Sequence, residues 1–148
     1  LKVLETNYRG VTFRSRLEAR WAVFFSELSI PFIYEPEGFE FKDGTRYLPD
    51  FYLPKQDFYV EIKPTAPSKT ESDKCSKLAI GTGKNVCCLY GSFIDGPEGE
   101  KFFADGTWDG YSYEWCRCLN CGQFGIEFEA RADRLKCKKD RGGHCPPN

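Results

Sequence analysis

The chain has 148 residues, a net charge of −1 and 41% hydrophobic and 16% aromatic residues, which is enough to fill one ordinary core and excludes extended disorder over most of its length. No apolar run approaches the ~20 residues of a membrane span and no signal-peptide pattern opens the chain, so a cytoplasmic, intracellular protein is expected. The charge balance does not by itself announce a nucleic-acid partner, and the absence of Met predicts an initiator residue or short leader before Leu1.

Residues 1–13 give one short extended segment, Val11-Thr12-Phe13. From Ser15 the pattern turns helical: Leu17, Trp21, Phe24 and Leu28 recur at spacings of four, three and four, an apolar stripe on a helix ending near Ser29, before Pro31. Ser15 and Glu18 form S-x-x-E, a capping box that explains Glu18 as a cap partner. The alternative is that Glu18, next to the stripe, projects from the first turn into a metal site. Arg14 and Arg16 flank the helix start and are read either as phosphate contacts to DNA or as solvated charges.

Residues 32–41 read as one or two strands, and Lys42-Asp43-Gly44-Thr45 as a turn. The segments 47–53 and 58–63 then read as two strands joined by Pro54-Lys55-Gln56-Asp57. A tight antiparallel hairpin sets Leu53 opposite Phe58 and, counting back, Asp50 opposite Glu61. Opposed like charges about 5 Å apart destabilise a sheet, so a compensating cation is expected. Carboxylate oxygens suit Mg²⁺ or Mn²⁺, and Lys63, on the same face as Glu61, reaches a metal-bound water. Without a cation, both acids lie on the solvated face of an edge hairpin, and a slip of one residue separates them.

After a loop over 64–69, residues 70–80 are expected to be helical and to end at Gly81-Thr82-Gly83. Residues 85–90 form an apolar run suited to a buried strand beside the Glu61 strand. Cys75, Cys87 and Cys88 fall on these elements and read as small buried hydrophobes. Residues 91–113 read as a connector with short strands that pack Phe102, Phe103 and Trp108 onto the core.

Five of the eight cysteines lie in the last 33 residues. Cys118-Leu119-Asn120-Cys121-Gly122 has the C-x-x-C-G form of a zinc knuckle, in which two thiolates converge on one metal and Gly permits the tight turn. Residues 124–128 alternate as a strand would. Cys137 and Cys145 complete a four-cysteine Zn²⁺ site with Cys118 and Cys121, with Cys116 and His144 as reserve ligands; disulfides are the alternative. A tail of 35 residues buries little, so zinc would supply most of its folding free energy. Residues 131–141 hold six basic residues against Asp133 and Asp140, and with Arg117 on the knuckle they are a second surface on which DNA could rest.

Pro49-Asp50, the eleven residues from Asp50 to Glu61, and Glu61-Ile62-Lys63 resemble the PD-(D/E)XK signature of restriction-endonuclease-like nucleases. The order F-R-S-R-L-E, aromatic helix, P-F-I-Y-E, Y-L-P-D-F-Y-L-P and F-Y-V-E-I-K, over residues 13–64, is similar to that of phage junction-resolving endonuclease I and of the endonuclease subunit of heteromeric transposases. The resemblance implies an active site of Glu18, Asp50, Glu61 and Lys63. Asp50, Glu61 and the Ile62 carbonyl would hold Mg²⁺ and Glu18 would join them. It also implies an α/β fold with a restriction-endonuclease-like core, a mixed sheet flanked by helices, over residues 1–113. A small zinc-ribbon-like module over 114–148 would follow. The expected activity is metal-dependent hydrolysis of DNA phosphodiester bonds, with branched or junction DNA as the substrate, a homodimer as the working form and a bacterial or phage origin. The alternatives are a DNA-binding or adaptor protein with an inert nuclease fold and a partner-recognising zinc module, and a zinc-dependent interaction protein without a nucleic-acid partner.

Overall fold

The computed structural model describes residues 6–110 and 113–135 and has a mixed α/β architecture. The chain opens with an antiparallel ribbon of β1 (Thr6–Tyr8) and β2 (Val11–Phe13), turned by Arg9 and Gly10 at positive φ. Ser15 then caps α1 (Arg16–Glu27), its side-chain oxygen accepting the Glu18 N–H. Next come β3 (Ile33–Tyr34) and a second ribbon of β4 (Phe39–Glu40) with β5 (Arg46–Tyr47).

A mixed six-stranded sheet forms the centre. Its strands are β3, β6 (Phe51–Leu53), β7 (Phe58–Lys63), β8 (Val86–Tyr90), β9 (Glu98–Phe102) and β10 (Trp108–Asp109), paired in that order. Only β7 and β8 are parallel, and α2 (Lys69–Thr82) is the connection that a parallel pair requires. Ser68 and Glu71 form a full capping box at the start of α2, and Gly83, at φ 70°, closes it in the left-handed conformation.

The expected hairpin register is present: Leu53 pairs with Phe58, Tyr52 with Tyr59 and Phe51 with Val60. The strand expected over 47–53 is divided, however. Arg46 and Tyr47 pair with Glu40 and Phe39 in the ribbon, and the central sheet begins only at Phe51. Pro49, which has no N–H to give a ladder, stands at the break.

Alternation along the strands separates two apolar clusters. On one face Phe51, Leu53, Val60, Ile62 and Leu89 pack against Trp21, Ala22 and Phe25 of α1; on the other Tyr59, Val86, Cys88 and Phe102 pack against Cys75, Leu78 and Ala79 of α2. Cys75, Cys87 and Cys88 are buried, as small apolar residues would be. The stripe on α1 is rotated from the expected one. Glu18, Ala19, Trp21, Ala22 and Phe25 are the buried positions, while Leu17, Phe24 and Leu28 are half-buried. Ala19 and Ala22 share the buried face with Trp21 and Phe25, and Glu18 lies at the start of that face.

Residues 91–110 supply the last two sheet strands. Phe102 is buried and Phe103 packs against the α1-side cluster, but Trp108 is exposed, contrary to its expected place on the core.

The boundary expected at 113/114 falls at the start of the hairpin β11 (Tyr113–Arg117) and β12 (Phe124–Phe128). Tyr113 and Ile126 belong to the α1-side cluster, and the Trp115 ring lies 5.4 Å from Phe24 and 5.6 Å from Phe25. Lys101, buried on β9, donates to the Ile126 carbonyl and pairs with Glu127 at 3.4 Å. A 3₁₀ turn (Ala132–Arg134) follows. Among the described residues no helix is long and apolar enough to cross a membrane.

Candidate active site

Asp50 sits where the β6 ladder gives way. Its N–H turns to the Glu61 Oε2 at 3.3 Å, and its own Oδ2 accepts the Ile62 N–H at 2.8 Å. The backbone break therefore ties Asp50 to both residues that flank it across the hairpin. Glu61 is central in β7 and buried, and its side chain points to the α2 side together with that of Lys63.

Glu18 reaches the same place from α1. It is 6% exposed, accepts from the Ser15 hydroxyl at 2.5 Å and from the Tyr34 hydroxyl at 3.1 Å, and hydrogen-bonds the Asp50 carboxyl. Ser15 caps the helix, and the Glu18 carboxylate reaches the hydroxyl of Ser15 and lies beside Asp50.

Burial pushes the Asp50 carboxyl well above the usual carboxylate range, and the nearby Glu61 and Glu18 charges push it further. Glu61 is also raised, by burial first, against hydrogen bonding from Tyr47 and the charge of Lys63. Tyr47, on β5, is itself driven far up by burial and by the neighbouring Cys75 and Glu61, and so stays a neutral donor.

Lys63 lies between two acids, 3.2 Å from Glu61 Oε1 and 2.8 Å from Glu71 Oε2. Burial disfavours its charge, yet the hydrogen bond with Glu71 and the charge of Glu61 outweigh that, and the amine is held above its ordinary range. Glu71 is pulled down to about 2, first by the Lys63 hydrogen bond. Glu71 had no role in the sequence reading, although Ser68-x-x-Glu71 is legible as a capping box.

The four residues expected at the site, Glu18, Asp50, Glu61 and Lys63, are brought together. Arg14 also converges, lining a cleft of about 300 Å³ beside Glu61 and Lys63, with its Nε 2.6 Å from Glu35 Oε1. Arg16 does not line that cleft; it is exposed on the first turn of α1.

Among the described residues, no group of three His, Cys, Asp or Glu side chains stands ready-made around a metal position. The hydrogen bonds explain this: Glu18 is turned to Ser15 and Tyr34, and Glu61 to Lys63. The donor chemistry nevertheless fits a hard divalent cation. Asp50 and Glu61 are adjacent, desolvated and of like charge, a pairing that burial makes costly without one.

Cys118 is buried where β11 ends. The Cys121 N–H donates to its sulfur at 3.4 Å, and its carbonyl accepts the Gly122 N–H at 2.8 Å. Gly122 takes φ 75°, a left-handed turn conformation that glycine adopts without strain. Cys116 instead donates its thiol to the Gly125 carbonyl at 3.7 Å, and burial pushes it up to about 11. Cys137, His144 and Cys145 lie outside the described residues, as does most of the basic segment 131–141.

Arg117 stacks 5.6 Å above the Phe124 ring, and Gln56 in the β6–β7 turn donates to the Phe124 carbonyl at 3.1 Å. The knuckle therefore adjoins the turn end of β7, whereas Lys63 ends that strand and Glu61 lies two residues before it. Arg117 and the carboxylates do not share one site.

Comparison with family models, with characterised proteins and with solved structures finds no match for this chain.

Proposed function

We propose that the chain is a metal-dependent endonuclease that hydrolyses DNA phosphodiester bonds, built on a restriction-endonuclease-like core. The observation that carries this reading is the convergence of three carboxylates from three elements with one lysine that two acids hold charged. Glu18 comes from α1, Asp50 from the break before β6, and Glu61 with Lys63 from β7. A purely structural cluster gains nothing from burying like charges in contact, since each extra ionised carboxyl raises the cost.

Asp50 and Glu61, with the Ile62 carbonyl and with Glu18 once it turns from Ser15, would hold Mg²⁺ or Mn²⁺. Bound there, such a cation lowers the pKa of a coordinated water and offsets charge on the phosphoryl oxygens. Lys63 remains an ammonium between Glu61 and Glu71, and so acts as a donor to the developing negative charge rather than as a base. The Ile62 N–H fixes the Asp50 carboxyl, and Tyr47 fixes that of Glu61, so neither acid has to be oriented at the moment of reaction.

Cys118 and Cys121 supply two thiolates of a zinc site, with Cys137 and Cys145 as the other pair. Zinc here has a folding role, at a distance from the carboxylates. Branched or junction DNA and a homodimer rest on the sequence resemblance alone.

Incubation with supercoiled plasmid and with a synthetic four-way junction, in Mg²⁺, Mn²⁺ and EDTA, tests the reading. Cutting supported by either metal and abolished by EDTA is expected, and the faster substrate gives the subclass. DNA binding without cutting in any of these conditions would favour the adaptor reading.

A further inference from the structure

The cleft beside Glu61 and Lys63 is rimmed by Arg14, Arg46 and Lys74, from two elements and the loop before α1. Arg14 precedes the cap of α1, Arg46 is on β5, and Lys74 lies three residues after Glu71 on α2, hence on the same helix face. With Lys63, the lining holds four cations against two carboxylates, Glu61 and Glu71. Both carboxylates are already engaged with Lys63, and Glu71 also accepts the Ser68 N–H.

Arg14 is paired with Glu35 at 2.6 Å, whereas Arg46 and Lys74 are lightly held. The side chains of Arg14 and Arg46 are 63% and 83% exposed, and Arg46 meets Glu40 only at 3.7 Å. Lys74 is half-buried and makes no ion pair among the described residues. Lys74, half-buried and without a counterion among the described residues, lines the same cleft of about 300 Å³ as the exposed Arg14 and Arg46, and the three cations make a seat for an external anion. Exposed ion pairs such as Arg46 with Glu40 contribute about 0–1 kcal/mol and exchange readily for a stronger acceptor. Arginine forks match phosphate oxygens, and lysine adds a point charge.

We infer that Arg46 and Lys74, together with Arg14, seat a backbone phosphate of the DNA strand next to the one attacked beside Lys63. The inference rests on the nuclease reading and adds Arg46 and Lys74 to its site. These residues fix where the strand lies; they are positioning residues and take no part in the bond exchange.

The test measures binding of a fluorescent DNA duplex by the zinc-loaded protein without added Mg²⁺ or Mn²⁺, which removes cleavage from the readout, between about 50 and about 200 mM salt. Each phosphate contact contributes about 0.9 to the slope of log affinity against log salt. Arg46→Ala and Lys74→Ala should each lower the slope and the double variant should lower it by about 1, the share of the one phosphate they seat, with the Tm of each variant near wild type. Lys55→Ala, in the β6–β7 turn, should leave the slope unchanged. Unchanged slopes in Arg46→Ala and Lys74→Ala, with wild type binding and cutting DNA, would overturn this inference and leave the nuclease reading intact. Failure of the wild type to bind DNA even at low salt would overturn both. Saturable binding of inorganic phosphate by a wild type that binds no DNA would overturn it in favour of a small phosphorylated ligand.

Discussion

The Glu71 carboxylate faces two partners at once: Oε2 stands 2.8 Å from Lys63 Nζ and Oε1 accepts the Ser68 N–H at 3.0 Å. The residue that caps α2 is thus also the counterion that holds the site lysine in place. Gln at the same position keeps the capping geometry but not the charge. Glu71→Gln should therefore fold with nearly wild-type Tm and cut DNA about 10-fold more slowly at saturating substrate, with little change in KM. Glu71→Ala should lose the cap as well, at about 1 kcal/mol. Steady-state kinetics beside thermal melts of the two variants separate these effects. Equal activity in Glu71→Gln and wild type would remove Glu71 from any role beyond the cap.

The pH dependence of stability has opposite signs at the two kinds of acid. Glu71, lowered to about 2, contributes stability above the ordinary carboxylate range that is lost as pH falls towards 2. Its exposure keeps this contribution small, under about 1 kcal/mol. Asp50 and Glu61 are raised, so the folded protein keeps protons that the unfolded chain releases. Stability therefore falls as pH rises from the ordinary carboxylate range through their raised values. Denaturant titrations without metal, compared across that window in wild type and Asp50→Asn, should show the wild type losing stability with rising pH and the variant losing less.

At neutral pH the same reasoning predicts that Asp50→Asn stabilises the metal-free protein by about 1–2 kcal/mol, because Asn presents a neutral oxygen to the Ile62 N–H. Cutting should fall at least about 100-fold in that variant. A gain in Tm with a loss of activity identifies a residue kept for function. A loss of both would mean that Asp50 is chiefly a structural acceptor.

Metal binding should appear as a Tm shift. Mg²⁺ or Mn²⁺ at about 100 times its Kd should stabilise wild type by about 2.7 kcal/mol and leave Asp50→Asn and Glu61→Gln unaffected. An equal shift in all three proteins would place the cation elsewhere.

Zinc should be retained through purification at one per chain, measured by elemental analysis, and Cys118→Ser should lose it. Strong chelation of the wild type should melt the hairpin region around β11 and β12 first, since Trp115 reports on its packing against Phe24 and Phe25. Trp fluorescence indifferent to zinc removal would contradict a folding role for the metal.

Much of the centre was legible because it depends on local pattern. Phe58–Lys63 reads as a strand from its aromatic and β-branched residues and Val86–Tyr90 from its apolar run, and the four-residue turn fixed the pairing of Leu53 with Phe58. The division of segment 47–53 was hidden, because Arg46 and Tyr47 are recruited by Phe39 and Glu40, a pairing that no single-strand pattern reveals. The rotation of α1 was hidden for a related reason: Ala19 and Ala22 lie on the buried face, and a count of large apolar residues overlooks them. Ser68 marks Glu71 only as a cap partner, while Arg46 and Lys74 reach the site across an element boundary and nothing in their neighbours along the chain marks them out.

Single-turnover cleavage of supercoiled plasmid by wild type and by Lys63→Ala, in Mg²⁺ and with the zinc content of both proteins matched, tests the central claim most directly. The account predicts metal-dependent cutting by wild type and a rate at least about 100-fold lower in the variant, since Lys63 is the one cation paired with both Glu61 and Glu71 among the described residues. Equal rates in the two proteins, or no cutting by a folded wild type in any divalent metal, would contradict it.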